Sequence, residues 1–163
     1  MTRNLLEVLH VTREMQALDP IRAPAQALVM SEPMIKIGFH HREPGFNAET
    51  MVQYSECLAL IDTGADGVYV DPSLIKEHGC PVAEGNSDLT INGEKSGIAY
   101  KASLFIIEQS RSIEMWVGSS PFDHKVMRFQ IILGRRFLQF CDLRWNGPDR
   151  IVSLQMLDNP SAY

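Results

Sequence analysis

Apolar and polar residues alternate along this chain in short runs, and that texture predicts strands far more often than helices. Met34-Ile35-Lys36-Ile37-Gly38-Phe39 is one predicted strand, and Met51 to Ile61 supplies a longer extended run. Val68-Tyr69-Val70, Leu104 to Ile107, Ile113 to Val117 and Phe129 to Leu133 are further short strands. Residues 84–103 read as a hairpin turning at Asn92-Gly93, the strongest hairpin signal in the chain. Cys141 to Trp145 and Arg150 to Leu154 read as a second hairpin around Asn146-Gly147-Pro148-Asp149. Two short helices punctuate this body. Asp71-Pro72-Ser73 opens one that runs to His78 and ends at Gly79. A helical turn from Arg135 to Phe140 follows Gly134.

The first 30 residues have a different texture. Apolar side chains at Leu5, Leu6, Val8, Leu9, Met15 and Leu18 predict a short amphipathic helix, closed by Asp19-Pro20. Pro20, Pro24 and the alanines at 23–27 read as a Pro/Ala linker. The expected organisation is an N-terminal extension over 1–30 and one domain over 31–163. No internal repeat is visible.

Composition narrows the class. A chain of 163 residues with 45% hydrophobic and 21% charged residues suits one globular domain with a real core. A net charge of -5 argues against nucleic acid as the main partner, and the arginines form no basic stripe. No apolar run reaches the roughly 18 residues that span a bilayer, so no membrane association is expected. Glu7 and His10 interrupt the N-terminus too early for a signal-peptide core. Three cysteines, Cys57, Cys80 and Cys141, are odd in number and far apart, which favours free thiols and a cytoplasmic setting.

One carboxylate stands out. The apolar run Cys57-Leu58-Ala59-Leu60-Ile61 delivers Asp62 into the turn Thr63-Gly64-Ala65-Asp66. Burying an unpaired charge is expensive, so a carboxylate at the end of a buried strand needs a reason. Gly64 lets the backbone turn sharply and come close to a ligand or a second chain. Asp-Thr-Gly alone is weak, arising by accident in on the order of a few per cent of chains this long. A second segment, Ile131-Ile132-Leu133-Gly134-Arg135-Arg136-Phe137-Leu138, brings another buried strand to a glycine, an arginine and a short helix.

In that order, with a hairpin between them, the two segments resemble the retroviral-type aspartic proteases, the retropepsins, and especially their bacterial relatives. The resemblance covers about residues 33–155. It implies a mostly β, retropepsin-like acid protease fold: a single pepsin-like lobe, a closed β barrel with short helices, active as a symmetric homodimer. Asp62 matches the catalytic Asp of the family, Thr63 the residue whose hydroxyl bonds across the dimer axis, and Gly64 the turn glycine. Ala65 and Asp66 match the next two positions. The resemblance implies a structural ion pair between Asp66 and Arg135 and assigns Ile132, Leu133 and Gly134 to the second motif. Ile91, Asn92 and Gly93 fall where the family carries its flap, without the Gly-rich viral tip. Arg136 stands where the family usually has Asp or Asn.

The activity so implied is an aspartic endopeptidase that cuts a peptide or protein substrate with an activated water and needs no cofactor. The chain carries one Asp-Thr-Gly, so a homodimer must supply the second Asp62. The competing expectation is an inactive dimerisation or peptide-binding module on the same fold. Other polar clusters read more simply. His40-His41, as strand neighbours, point to opposite faces and cannot share a metal ion. His78-Gly79-Cys80 lacks the remaining ligands of a closed zinc site, and no metal site is expected. Ser119, Ser120, Asp123 and His124 lack a nucleophile-elbow pattern and read as a polar loop.

Overall fold

The computed structural model describes residues 5–11, 17–18, 31–41, 53–83, 89–91, 94–122, 127–146 and 151–157. Thirteen strands and two short α-helices are found among them. In chain order the strands are β1 (Leu5–Leu6), β2 (Leu9–Val11), β3 (Ala17–Leu18), β4 (Glu32–His40), β5 (Ser55–Ile61), β6 (Val68–Val70) and β7 (Leu89–Ile91). They continue as β8 (Glu94–Gly97), β9 (Ala99–Ile106), β10 (Arg111–Ser119), β11 (Ile131–Leu133), β12 (Cys141–Asn146) and β13 (Ile151–Met156). The helices are α1 (Pro72–Glu77) and α2 (Arg135–Leu138).

Alternation along β5 explains how the body is assembled. Cys57, Ala59 and Ile61 point to one face and are buried in the main core with Phe39, Val68, Leu104, Ile131, Leu133 and Phe137. Leu58 and Leu60 point to the other face, where they pack with Met34, Phe129, Leu9, Phe122 and Ile132. A strand covered on both sides reads as a continuous apolar run, which is how this one reads in the sequence. The strands run in the order β4-β5-β11-β6-β10-β9, and β9 pairs back onto β4 to close a six-stranded barrel. The expected class, mostly β with a closed barrel and short helices, is what the chain adopts.

The barrel contains one crossing that matters for the site. β11 lies between β5 and β6, parallel to the first and antiparallel to the second. Its residues register as Leu133 opposite Ile61 and opposite Val68. The two strands flanking the Asp-Thr-Gly turn are therefore held apart by a segment from late in the chain.

The expected N-terminal helix is not formed at the described residues. Leu5–Leu6 pairs with β13, and Leu9–Val11 pairs with the N-terminal half of β4. Open strand edges take up the backbone groups of this segment, and Leu6 and His10 are buried there. Tertiary pairing overrides a helical spacing that was only partly periodic. The Pro/Ala stretch at 20–27 lies outside the described residues.

Elsewhere the elements fall close to expectation. α1 begins at Asp71, whose carboxylate accepts from the Ser73 N–H at 2.9 Å, and its end passes through Gly79 at φ 58°. The hairpin expected near 84–103 has arms at β7 and β8, with Leu89 opposite Gly97 and Ile91 opposite Glu94. Asn92 and Gly93 lie outside the described residues. Its expected second arm and the next strand are replaced by β8 and one unbroken strand, β9. β12 and β13 form the expected terminal hairpin, joined by β1 in a separate three-stranded sheet.

Candidate active site

The sheet carries Asp62 one residue past β5. Its N–H donates to the Leu133 carbonyl at 3.1 Å, so the β5–β11 ladder continues through the first residue of the turn. The turn then closes on itself. The Ala65 N–H donates to the Asp62 carbonyl at 3.3 Å, and the Gly64 N–H donates to Asp62 Oδ1 at 2.8 Å. One carboxylate oxygen is thus fixed by the backbone of its own turn. Asp62 is half-buried, while Thr63 and Gly64 are exposed. A Cβ on Gly64 would stand 3.1 Å from Asp62 Oδ1, pressing on the oxygen that its N–H holds.

The second motif grips the turn from behind. The first N–H groups of a helix have no partner within the helix. Here those of α2 and its cap are given to the turn: Gly134 N–H to the Gly67 carbonyl (3.0 Å), Arg135 N–H to Ala65 (2.9 Å) and Arg136 N–H to Asp66 (3.0 Å). The Arg135 guanidinium adds two longer contacts, both at 3.4 Å, to the carbonyls of Thr63 and Gly64. Every carbonyl from Thr63 to Gly67 is therefore met by the segment Gly134–Arg136. Close approach needs a residue without a side chain at the centre. A Cβ at Gly134 would lie 2.2 Å from the Gly67 oxygen and 2.6 Å from that of Ala65. Phe137, fully buried in the barrel core, anchors α2 from the other side.

The expected Asp66–Arg135 pair takes another form. Arg135 reaches the turn carbonyls, and no direct ion pair joins it to Asp66 among the described residues. Asp66 Oδ1 instead accepts from the Tyr69 hydroxyl at 2.5 Å and from the Gly67 N–H at 2.8 Å. The Tyr69 hydrogen bond is the chief reason the Asp66 carboxyl sits below its ordinary range, with Arg135 contributing a smaller attraction. Burial, followed by the Asp66 contact, pushes the Tyr69 phenol up to about 12. Sequence reasoning missed Tyr69. Its only signal was a phenol on the short apolar strand three residues after Asp66, where a buried hydroxyl needs a partner.

The arrangement brings Asp62, Thr63, Gly64, Ala65, Asp66, Leu133, Gly134 and Arg135 into one cluster, with Ile132 on the face packed with Leu60 and Met34. The backbone of Ile91 lies in the β7–β8 hairpin, which among the described residues forms a two-stranded sheet of its own. Among these residues no group of three or more His, Cys, Asp or Glu could hold a metal ion. No helix of the described residues is long and apolar enough to cross a membrane.

No protein-family model matches the chain, and no curated protein does. Among solved structures it is similar to the crystal structure of a retropepsin-like aspartic protease from Rickettsia conorii. The identity is 16% over 92% of this chain and 89% of that one, with a TM-score of 0.49.

Proposed function

We propose that the chain is an aspartic-type endopeptidase whose active site forms when two copies bring their Asp62 turns together. The observation that carries this reading is the clasped turn. Asp62 sits at a strand end with one oxygen fixed by the Gly64 N–H, and the turn carbonyls are met by Gly134, Arg135 and Arg136. A carboxylate held this firmly, yet half-exposed, suits chemistry on a bound molecule.

Peptide hydrolysis by water needs a base to take a proton from the water and an acid to protonate the carbonyl oxygen. One Asp62 cannot perform both at once. Two facing carboxylates can, because close like charges share a proton, as is established for aspartic-protease dyads. In this reading the ionised Asp62 accepts a proton from water as its oxygen attacks the carbonyl carbon. The protonated Asp62 of the partner copy donates to the carbonyl oxygen. Collapse of the resulting diol expels the amine, which takes up a proton. The dyad titrates as a unit, so its two pKa values belong to the pair.

The decisive measurement is cleavage of a peptide library by the wild type and by Asp62→Asn, together with sedimentation to read the oligomeric state. Cleavage by a dimer, abolished by Asp62→Asn and blocked by a statine-type inhibitor, supports the proposal. Cleavage that survives Asp62→Asn overturns it. A folded dimer that cuts nothing across the acid range instead favours the dimerisation or peptide-binding module.

A further inference from the structure

A groove of about 430 Å³ lies on the outer surface of the barrel, over the β9–β10 ribbon. His41, Pro81, Lys101, Ser103, Glu114 and Trp116 contribute to its lining, and none belongs to the Asp62 cluster. The register explains the composition. Lys101 stands opposite Trp116 and Ser103 opposite Glu114, so alternation sends all four side chains to the same face of the ribbon. His41 follows the end of β4, whose last residue, His40, pairs with Ser103. The Pro81 wall is fixed to the ribbon, since the Lys101 N–H donates to the Pro81 carbonyl at 2.9 Å.

Two features of this groove point to a ligand. Ser103 is 3% exposed, and among the described residues its hydroxyl makes no hydrogen bond. Buried hydroxyls are nearly always paired, so one left over on the lining of a groove is available to bond a molecule that enters it. The second feature is charge. Lys101 and Glu114 are diagonal neighbours on paired strands, within reach of one small molecule, yet no ion pair joins them. An unpaired cation and anion beside an indole and a hydroxyl suit a ligand that carries both charges.

We propose that this groove binds a small zwitterion of the α-amino acid type, either a free amino acid or a dipeptide. Lys101 takes the carboxylate, Glu114 takes the ammonium, and the side chain lies against Trp116. Ser103 donates to a ligand oxygen at the floor. A simple anion is repelled by Glu114 and a simple amine by Lys101, so the pair selects for both charges together. The volume falls within the range of small-molecule sites, about 300–1,000 Å³. This inference does not rest on the protease reading, because it concerns a different face and different residues.

The test is amide and indole NMR of the full chain titrated with leucine, with the dipeptide Ala-Leu, and with two half-ligands, isovalerate and isoamylamine. Leucine or Ala-Leu should shift the Trp116 indole and Ser103 amide signals with saturation at or below about 10 mM. The tighter of the two identifies the source. The half-ligands should bind on the order of tenfold more weakly, as should the tighter zwitterion to Lys101→Gln and Glu114→Gln. Ser103→Ala should weaken binding by a few-fold with the spectrum otherwise retained. No saturable shift with either zwitterion overturns the proposal. So does equal binding of a half-ligand, or binding unaffected in both charge variants.

Discussion

The Gly134 N–H lies on the carbonyl of Gly67 at 3.0 Å, and a Cβ at Gly134 would stand only 2.2 Å from that same oxygen. The contact is backbone against backbone, so no flexible side chain can move aside. Gly134→Ala must push α2 away from the turn. It should cost about 3 kcal/mol, read as a lowered urea midpoint with an unchanged slope. An unchanged midpoint would show that the two motifs do not depend on this approach. Peptide cleavage, once established for the wild type, should fall in the same variant, because the carbonyls behind Asp62 lose their donors.

Tyr69 and Asp66 provide a second expectation. The Asp66 carboxyl is depressed chiefly by the Tyr69 hydroxyl, so its favourable contribution is present above the ordinary carboxylate range. It is lost as pH falls through the lowered value. In Tyr69→Phe the Asp66 titration, followed by carboxyl NMR, should move up toward an ordinary aspartate. Arg135→Met should move it less, since Arg135 is the smaller cause. The reverse ranking would restore the direct ion pair as the main partner.

His10 is buried with Nδ1 3.2 Å from Ser31 Oγ, and burial lowers its pKa from 6.5. The unfolded chain therefore takes up a proton first as the solution is acidified. Stability falls from about pH 6.5 down to the lowered value and then levels off for this group. His10→Gln keeps a polar group near Ser31 but cannot be protonated. Urea midpoints of the wild type should decline more steeply than those of the variant across that window. Parallel pH profiles would separate His10 from the pH dependence.

Burial pushes the thiols of Cys57, Cys80 and Cys141 up to about 12, 11 and 12. For Cys57 the neighbouring Glu77 and Glu56 add to the effect. The thiolate is the reactive form, so all three should react slowly with an aromatic disulfide at about pH 8 and rapidly once the chain is denatured. Fast native labelling at any of them would mean that its surroundings open readily.

Much of this fold was legible because strand periodicity and the two motifs agreed. Cys57 to Ile61 reads as doubly covered, and Leu58 and Leu60 do pack on the second apolar cluster. Asp71-Pro72-Ser73 announced α1 through a local cap. Leu5 to Val11 misled because its short apolar spacing fits a helix, whereas pairing with β13 and β4 decided its state. At the site, residue types revealed Asp62 and Gly134 but not what joins them. Backbone hydrogen bonds from Gly134, Arg135 and Arg136 leave little trace in side-chain identity. The Asp66–Tyr69 contact depends on how the chain turns at Gly67.

The insertion of β11 between β5 and β6 also sets a timetable. During synthesis, β5, the Asp62 turn and β6 emerge early, yet the strand that belongs between them comes from residues 131–133. Pairings this distant in sequence form late, since a long loop must close before they are rewarded. The Asp62 turn therefore gains the supports that Leu133 to Arg136 supply only after those residues have left the ribosome. Under the proposed protease reading, this order keeps the site silent while the unfinished chain and its neighbours are most vulnerable to cutting.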